Sequence, residues 1–431
     1  MYVTDLPDVV LVKVLSYLEW EDKLIVTSTI PSFENHLRTS ASWPCFKFSP
    51  SAVTKSDYIT AAENCVKEYG LFFKTFRSVT SMETDLVTNE HANIFKLVSE
   101  HCRHLRGFHM EQGSDGFCHG QHSTSNRDME EALTVLTTCK DLKNVSLFLP
   151  CETEIQPKPF LLLQLINLGV TNFVTALDLS SISWTMNERQ MSCLLNFPNL
   201  RELSLQKCNV DATLVLGLAK QSLVQLNIFQ EREIFDVDVC QPNDNDWEKI
   251  LKLKPNLKVN ITFDGIILVK TMFPSRIPLK QLSLNDISNS LTKGMMDHFT
   301  NNYWTTLEVF KYTNLLHEKT QTSDTRLPFA LVSFAKKCLK LQSIHFDVPL
   351  SSTTVLLLAH ARKFKELRVI KDDVSYEFDW KSAEGTMTPD FVQWLKESGQ
   401  NEAQLEKAVS SLLGFKWKLW NLPLTIVDKS F

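Results

Sequence analysis

Along the middle of the chain, apolar and polar positions recur in one order: apolar-x-x-apolar-x-apolar. Copies fall at Leu105/Phe108/Met110, Leu142/Val145/Leu147, Val174/Leu177/Leu179, Leu200/Leu203/Leu205 and Leu223/Leu226/Ile228. More follow at Leu279/Leu282/Leu284, Leu307/Phe310/Tyr312, Leu341/Ile344/Phe346 and Phe364/Leu367/Val369. A tenth, near Leu257, is imperfect, because Asn260 stands where the middle apolar residue belongs. Successive copies start 22 to 37 residues apart. In each, the last two apolar residues alternate around a polar one, as in a short strand with one buried face. The stretch before each has helical spacing, for example Met191, Leu194 and Leu195 before "FPNLRELSL".

One strand and one helix per unit, stacked on their neighbours, close a core that no single unit can close. Cys102, Cys139 and Cys338 each precede the first apolar position by three residues, and Pro198 and Pro255 lie just before theirs. Cys208 follows Leu205 by three, where such repeats place a Cys or Asn to satisfy turning backbone. "FPNLRELSLQKC" thus resembles a leucine-rich repeat of the cysteine-containing kind. The resemblance implies an α/β fold built on an irregular leucine-rich-repeat horseshoe, or solenoid. The competing reading is a mixed α/β domain with chance periodicity.

The pattern at the start of the chain is different. In "LPDVVLVKVLSYL", Val10, Val14, Leu18 and Leu11, Leu15 form two adjacent i, i+4 rows, flanked by Val9 and Val12. Pro7 suits a first helical turn, and Asp8 complements its positive end. "WEDKLIVTST" and "SFENHL" add two more short helices, and Trp43 closes the stretch. Three helices of this size bury one small core, so the surplus apolar surface requires a partner or a dock on the rest of the chain.

Leu6, Pro7, Leu11, Val14, Leu15, Leu18 and Trp43 match the pattern of an F-box, which this stretch resembles. It departs from that pattern at "TIPSF", where Pro31 is inserted and Phe33 takes the place of a Trp. The resemblance implies an N-terminal three-helix F-box docking on a Skp-type adaptor through Leu6, Pro7, Val10, Leu11, Val14, Leu15 and Leu18. The adaptor would join it to a cullin–RING ubiquitin ligase, with a protein substrate held on the repeat surface or tail. "LLLAHARKFKELRVIKDDV" and the Trp-rich tail resemble an F-box-only branch. The expected boundaries are 1–48 for the F-box, 49–90 for a helical connector, 91–373 for the solenoid and 374–431 for a helical C-terminal cap. The alternative is a repeat scaffold whose degenerate F-box recruits no cullin.

Composition narrows the function. The 431 residues carry a formal charge of −5 with no basic stripe, which argues against a nucleic-acid partner. No apolar run reaches a membrane span, and "FLLLQLINLGV" is interrupted by Gln164 and Asn167. Met-Tyr-Val-Thr-Asp is no signal peptide. Ten scattered Cys read as reduced thiols of the cytoplasm or nucleus. Phosphate-binding and hydrolase motifs are absent and Gly numbers only 12, so neither a catalytic residue nor a cofactor is expected. The His and Cys of "EHCRHLRGFHMEQGSDGFCHGQH" read as surface histidines around a core Cys102, with zinc the lesser reading and no metal expected. Trp380, Trp394, Trp417 and Trp420 mark the tail as a cap or a substrate-contacting element.

In each strand the polar residue between the last two apolar positions lies on the opposite face. In order these are His109, Ser146, Asp178, Ser204, Asn227, Ser283, Lys311, His345 and Arg368. Basic residues collect at the end, so Lys311, His345 and Arg368 are candidates to hold an acidic or phosphorylated substrate segment. In the alternative they pair with Asp347, Glu366 and Asp372, or lie under the tail.

Overall fold

The computed structural model describes residues 6–50, 56–80, 90–112, 126–147, 160–181, 185–230, 241–264, 274–285, 291–313, 327–347, 349–380 and 387–421. The chain divides into two compact units, residues 1–224 and 225–431.

The first unit opens with helices α1 (Asp8–Ser16), α2 (Trp20–Thr29) and α3 (Glu34–Leu37). Strands and helices then alternate: β1 (Phe46–Phe48), α4 (Ser56–Tyr69), β2 (Thr75–Thr80), α5 (Glu90–His101), β3 (Gly107–Gln112), α6 (Asn126–Thr138) and β4 (Asn144–Ser146). They continue through α7 (Phe160–Asn167), β5 (Ala176–Leu179), α8 (Glu188–Leu194), β6 (Glu202–Gln206) and α9 (Ala212–Ala219). The six strands pair parallel in chain order. Their register stacks the repeat: Phe46, Phe76, Phe108, Val145, Leu177 and Leu203 stand opposite one another, all buried. The Phe46, Phe76 and Phe108 rings stack successively, each pair 5.9 Å apart.

The ladder begins earlier than the expected solenoid boundary at residue 91. Trp43/Phe46/Phe48 is itself a copy of the pattern, hidden because Trp43 also serves the F-box pattern. Phe73/Phe76/Ser78 is another, with a buried Ser in the last place whose hydroxyl shares a 2.9 Å hydrogen bond with His91 Nδ1. The 49–90 stretch, expected as a helical connector, carries a helix, α4, followed by a ladder strand, β2.

The second unit runs β7 (Gln225–Gln230), α10 (Asp244–Leu253), β8 (Lys258–Asp264), β9 (Leu279–Asn285), α11 (Lys293–Tyr303), β10 (Val309–Thr313), α12 (Leu327–Lys337) and β11 (Ser343–Asp347). It ends with β12 (Leu350–Ser351), α13 (Ser352–Ala361), β13 (Glu366–Val369), β14 (Val374–Ser375), α14 (Pro389–Ser398) and α15 (Glu402–Leu413). β7 to β11 and β13 form a parallel ladder, with Leu282, Phe310, Ile344 and Leu367 opposite one another. β12 and β14 pair separately.

Every apolar position of the nine regular copies is buried. The imperfect copy is regular when shortened by one residue: Leu257, Val259 and Ile261 are buried, and Asn260 turns to the polar row. There its Nδ2 donates to Asn227 Oδ1 at 2.9 Å. A β-bulge at Val259/Asn260 shifts the register, so Ser283 stands opposite Thr262 and not in the row of Asn227.

Helix starts follow local chemistry. Asn187 with Gln190, and Asn243 with Asp246, form capping boxes, while Asp211, Thr292, Ser351 and Asn401 accept from first-turn N–H groups. Cys208 is buried at the turn, and beside it buried Asn209 Oδ1 accepts from Met186 N at 2.6 Å.

The tail covers the last strand. Gly414, at φ +83°, ends α15 and turns the chain back. Trp420 N then donates to Val369 O at 3.0 Å, and Lys371 N donates to Trp420 O at 2.8 Å. The Trp417 indole donates to Leu367 O at 2.6 Å. These bonds occupy backbone groups that an open strand edge would leave unpaired.

Candidate functional sites

In α1, the Pro7 carbonyl accepts from Val10 N and Leu11 N and so starts the helix. Leu11 and Leu15 are buried. Pro7, Val10, Val14 and Tyr17, spaced 3, 4 and 3 apart, fall on one adjoining stripe. All are exposed, Val10 by 41%, Val14 by 43% and Tyr17 by 75%. Leu6 and Leu18 are half-buried at its border. The seven expected adaptor contacts therefore separate. Leu11 and Leu15 point inward and are corrected to core residues, because a side chain without exposed surface offers a partner nothing to touch. Pro7, Val10 and Val14 are outside, and Tyr17 joins them.

The helices are held from beneath by residues the sequence reading did not single out. Lys23 is fully buried, with its ammonium 4.7 Å from the Trp43 ring centroid. Burial pushes its pKa down, while the nearby Glu19 charge pulls it up. Spacing from Trp20 (i, i+3) could have placed it on the inner face. The Trp43 indole also donates to Leu37 O at 2.6 Å and stacks on Tyr69. Where the chain departs from the F-box pattern, Pro31 begins a 3-10 turn through Phe33, and α3 is only four residues long. Phe33 and Leu37 are buried and keep α3 on the core.

The polar row is assembled as the alternation requires. Lys47, Arg77, His109, Ser146, Asp178 and Ser204 stand opposite one another in the first unit. Two basic residues from the early strands therefore precede the row that starts at His109. Burial pushes Asp178 upward, against hydrogen bonds from Ser180 and Ser146. In the second unit Ser283, Lys311, His345 and Arg368 are aligned.

The three substrate candidates are in register, and two of them, His345 and Arg368, are engaged with Glu366 rather than open as a basic patch. His345 is buried, with Nε2 3.0 Å from Glu366 Oε2 and 2.9 Å from Ser343 Oγ. Arg368 Nε donates to Glu366 Oε1 at 2.5 Å, and its guanidinium lies 4.3 Å from the Trp420 ring centroid. Burial, with the Arg368 and Lys311 charges, pushes His345 below the ordinary imidazole value despite the opposing pull of Glu366. Lys311 is half-buried. His345 and Arg368 thus pair with Glu366, and Trp420 of the tail lies over Arg368.

Of the His/Cys stretch, Cys102 is core, His91 is buried against Phe48 and Ser78, and His104 Nδ1 meets Asp141 Oδ2 at 3.1 Å. Cys118, His119 and His122 lie outside the described residues. Among the described residues no His/Cys/Asp/Glu group is gathered as for a metal, and no helix is long and apolar enough to cross a membrane. Burial pushes the Cys65, Cys139 and Cys338 thiols up to about 12, which leaves them unreactive.

No family model matches the chain, and no curated protein is significantly similar to it. Solved structures to which the chain is similar include the Rad7–Elc1 complex of yeast, at 13% identity, TM-score 0.37, covering 89% of this chain and 91% of that one. The leucine-rich-repeat protein LegL7 of Legionella pneumophila matches at 12% identity, TM-score 0.38, covering 86% and 98%. TLR13 bound to a single-stranded RNA matches at 13% identity, TM-score 0.30, covering 76% and 51%. The chain is an α/β protein of parallel strand–helix repeats with leucine-rich-repeat spacing.

Proposed function

We propose that this chain is a substrate-receptor subunit of a Skp–cullin–F-box ubiquitin ligase, acting in the cytoplasm or nucleus. The observation that carries this is the exposed stripe Pro7, Val10, Val14 and Tyr17, on a helix whose other face is fixed by Leu11 and Leu15. Uncovered apolar side chains at helical spacing suit a helix-packing partner, and the F-box resemblance names a Skp-type adaptor as that partner. The mechanism is proximity: the repeats hold a target near the ubiquitin-transferring machinery. The chain itself contributes neither a catalytic residue nor a cofactor.

The test is the pair Val10→Asp and Val14→Asp, read by mass spectrometry of co-purifying proteins. Wild type should bring down an adaptor and a cullin in near-stoichiometric amounts, and the variant neither, with melting unchanged. The shortness of α3 favours the second reading, a repeat scaffold. A folded wild-type chain that captures no adaptor would establish it.

A further inference from the structure

A second surface lies along the side of the second unit where helices hand over to strands. A cleft of about 790 Å³ is lined by the turns leading into β8, β9, β10 and β11. Its charged lining is Lys252, Lys258, Arg276, Lys280 and Lys340, against Glu248 alone. Five cations and one carboxylate leave +4, and counting Glu308, the partner of Lys280, leaves +3. This stands out in a chain of net charge −5.

Glu248 is already shared, with Lys252 at 3.0 Å and Arg276 at 2.5 Å. Lys258 and Lys340 are exposed and have no acidic partner among the described residues. Helix polarity accounts for Lys252, in the last turn of α10. It does not account for Lys258, Lys280 or Lys340, which lie beyond the helices. Beside the cleft, Trp304 is 42% exposed and Leu339 61% exposed. They are neighbours, since Leu339 N donates to Trp304 O at 3.0 Å.

We infer that this cleft docks an acidic protein segment carrying an apolar anchor, its carboxylates over Lys258 and Lys340 and its anchor on Trp304 and Leu339. An exposed Trp and an exposed Leu joined through the backbone beside a cationic cleft suit such a segment. A nucleic acid would use the cations and the ring, but gains little from Leu339. As the place for a ligase substrate, the cleft rests on the receptor reading above. The binding itself does not, and its assay needs no adaptor.

The test uses the full chain and fluorescence anisotropy of a fluorescein-labelled peptide of Glu-Asp repeats around one Leu-Phe pair. Lys258→Glu with Lys340→Glu should weaken binding about tenfold, an effect that shrinks as salt is raised. Trp304→Ala should weaken it roughly fivefold, and that loss should persist at high salt. Lys336→Glu with Lys337→Glu, on the exposed end of α12, is the control and should leave affinity unchanged. Absence of binding by wild type, equal losses in cleft and control variants, or displacement of the peptide by polyuridine at equal or lower concentration overturns the inference. If it falls while Val10 and Val14 still govern adaptor capture, the receptor reading stands.

Discussion

Helices α1 and α13 share an apolar character and have opposite fates. "DVVLVKVLS" and "STTVLLLAHA" are both apolar nearly all the way round. In α13, every residue from Ser352 to Ala359 is buried, because α12, α14 and α15 pack around it. Two of its hydroxyls are also satisfied: Ser352 Oγ donates to Gly399 O at 2.8 Å, and Thr354 Oγ1 accepts from the Trp380 indole at 3.2 Å. In α1, only Leu11 and Leu15 are covered. A greasy helix therefore does not say whether its own chain will cover it. α13 is completed by the tail, whereas α1 presents its remaining apolar face outward.

The largest expected effect breaks the inner half of α1. Leu11→Asp with Leu15→Asp puts two carboxylates into the small three-helix core, at a cost of roughly 5 kcal/mol or more. Hydrogen exchange should show α1, α2 and α3 unprotected. Retained protection would mean that these side chains are not core, and any adaptor loss in this variant would report unfolding rather than contact.

In α13, Leu356→Ala should cost about 2–5 kcal/mol, as truncations in a packed interior do. The measurement is denaturant unfolding of the full chain. A loss below about 1 kcal/mol would mean that the layer above α13 is loose, and the contrast with α1 would fail.

Acid should act in part through His91, in the first unit. Burial holds His91 at about 4 in the folded chain, against about 6.5 for a free imidazole. The unfolded chain therefore takes up the proton first. Stability is intact above pH about 6.5, falls as pH drops below it, and levels off below about 4, with a total on the order of 3 kcal/mol. His91→Gln should remove His91's share of that slope in urea melts taken across the range, leaving the share of His109, which burial also holds at about 4. An unchanged slope would assign the acid response elsewhere.

The smallest effect on stability sharpens the comparison most. Val10→Asp with Val14→Asp changes exposed positions and should shift stability by under about 0.5 kcal/mol. The same pair of changes on α13, Leu356→Asp with Leu357→Asp, should prevent folding of the second unit. Thermal melts of both variants decide it: comparable losses would mean that the α1 stripe is covered after all.

The repeat was legible because its information is local. An apolar-x-x-apolar-x-apolar order fixes which side chains of a strand face inward whatever lies next to it, and all nine regular copies are buried. The copies at Trp43 and Phe73 were harder to read, since one shares its Trp with the helical opening and the other ends in Ser78. The copy at Leu257 was misread by one residue because register depends on the neighbouring strand, and the bulge at Val259/Asn260 is visible only in the pairing.

The candidate surfaces were legible in part. Alternation placed Lys311, His345 and Arg368 in one row and left Glu366 and the tail as alternatives, but only the structure sets the Glu366 carboxylate between His345 and Arg368 and Trp420 over the guanidinium. Trp420 stands 52 residues after Arg368 in the chain, and nothing local to either residue brings them together. Likewise, the spacing of α1 announced two apolar rows without saying which would be buried. The basic cleft draws its charges from three separate stretches, those leading into β8, β9 and β11, which meet only when the repeats stack. The sequence alone determined the period, the inward positions and the helix caps, which are set by residues within a turn or a strand of one another. The tertiary structure alone decided what each apolar face meets and which charges are already paired, because both depend on segments distant in the chain.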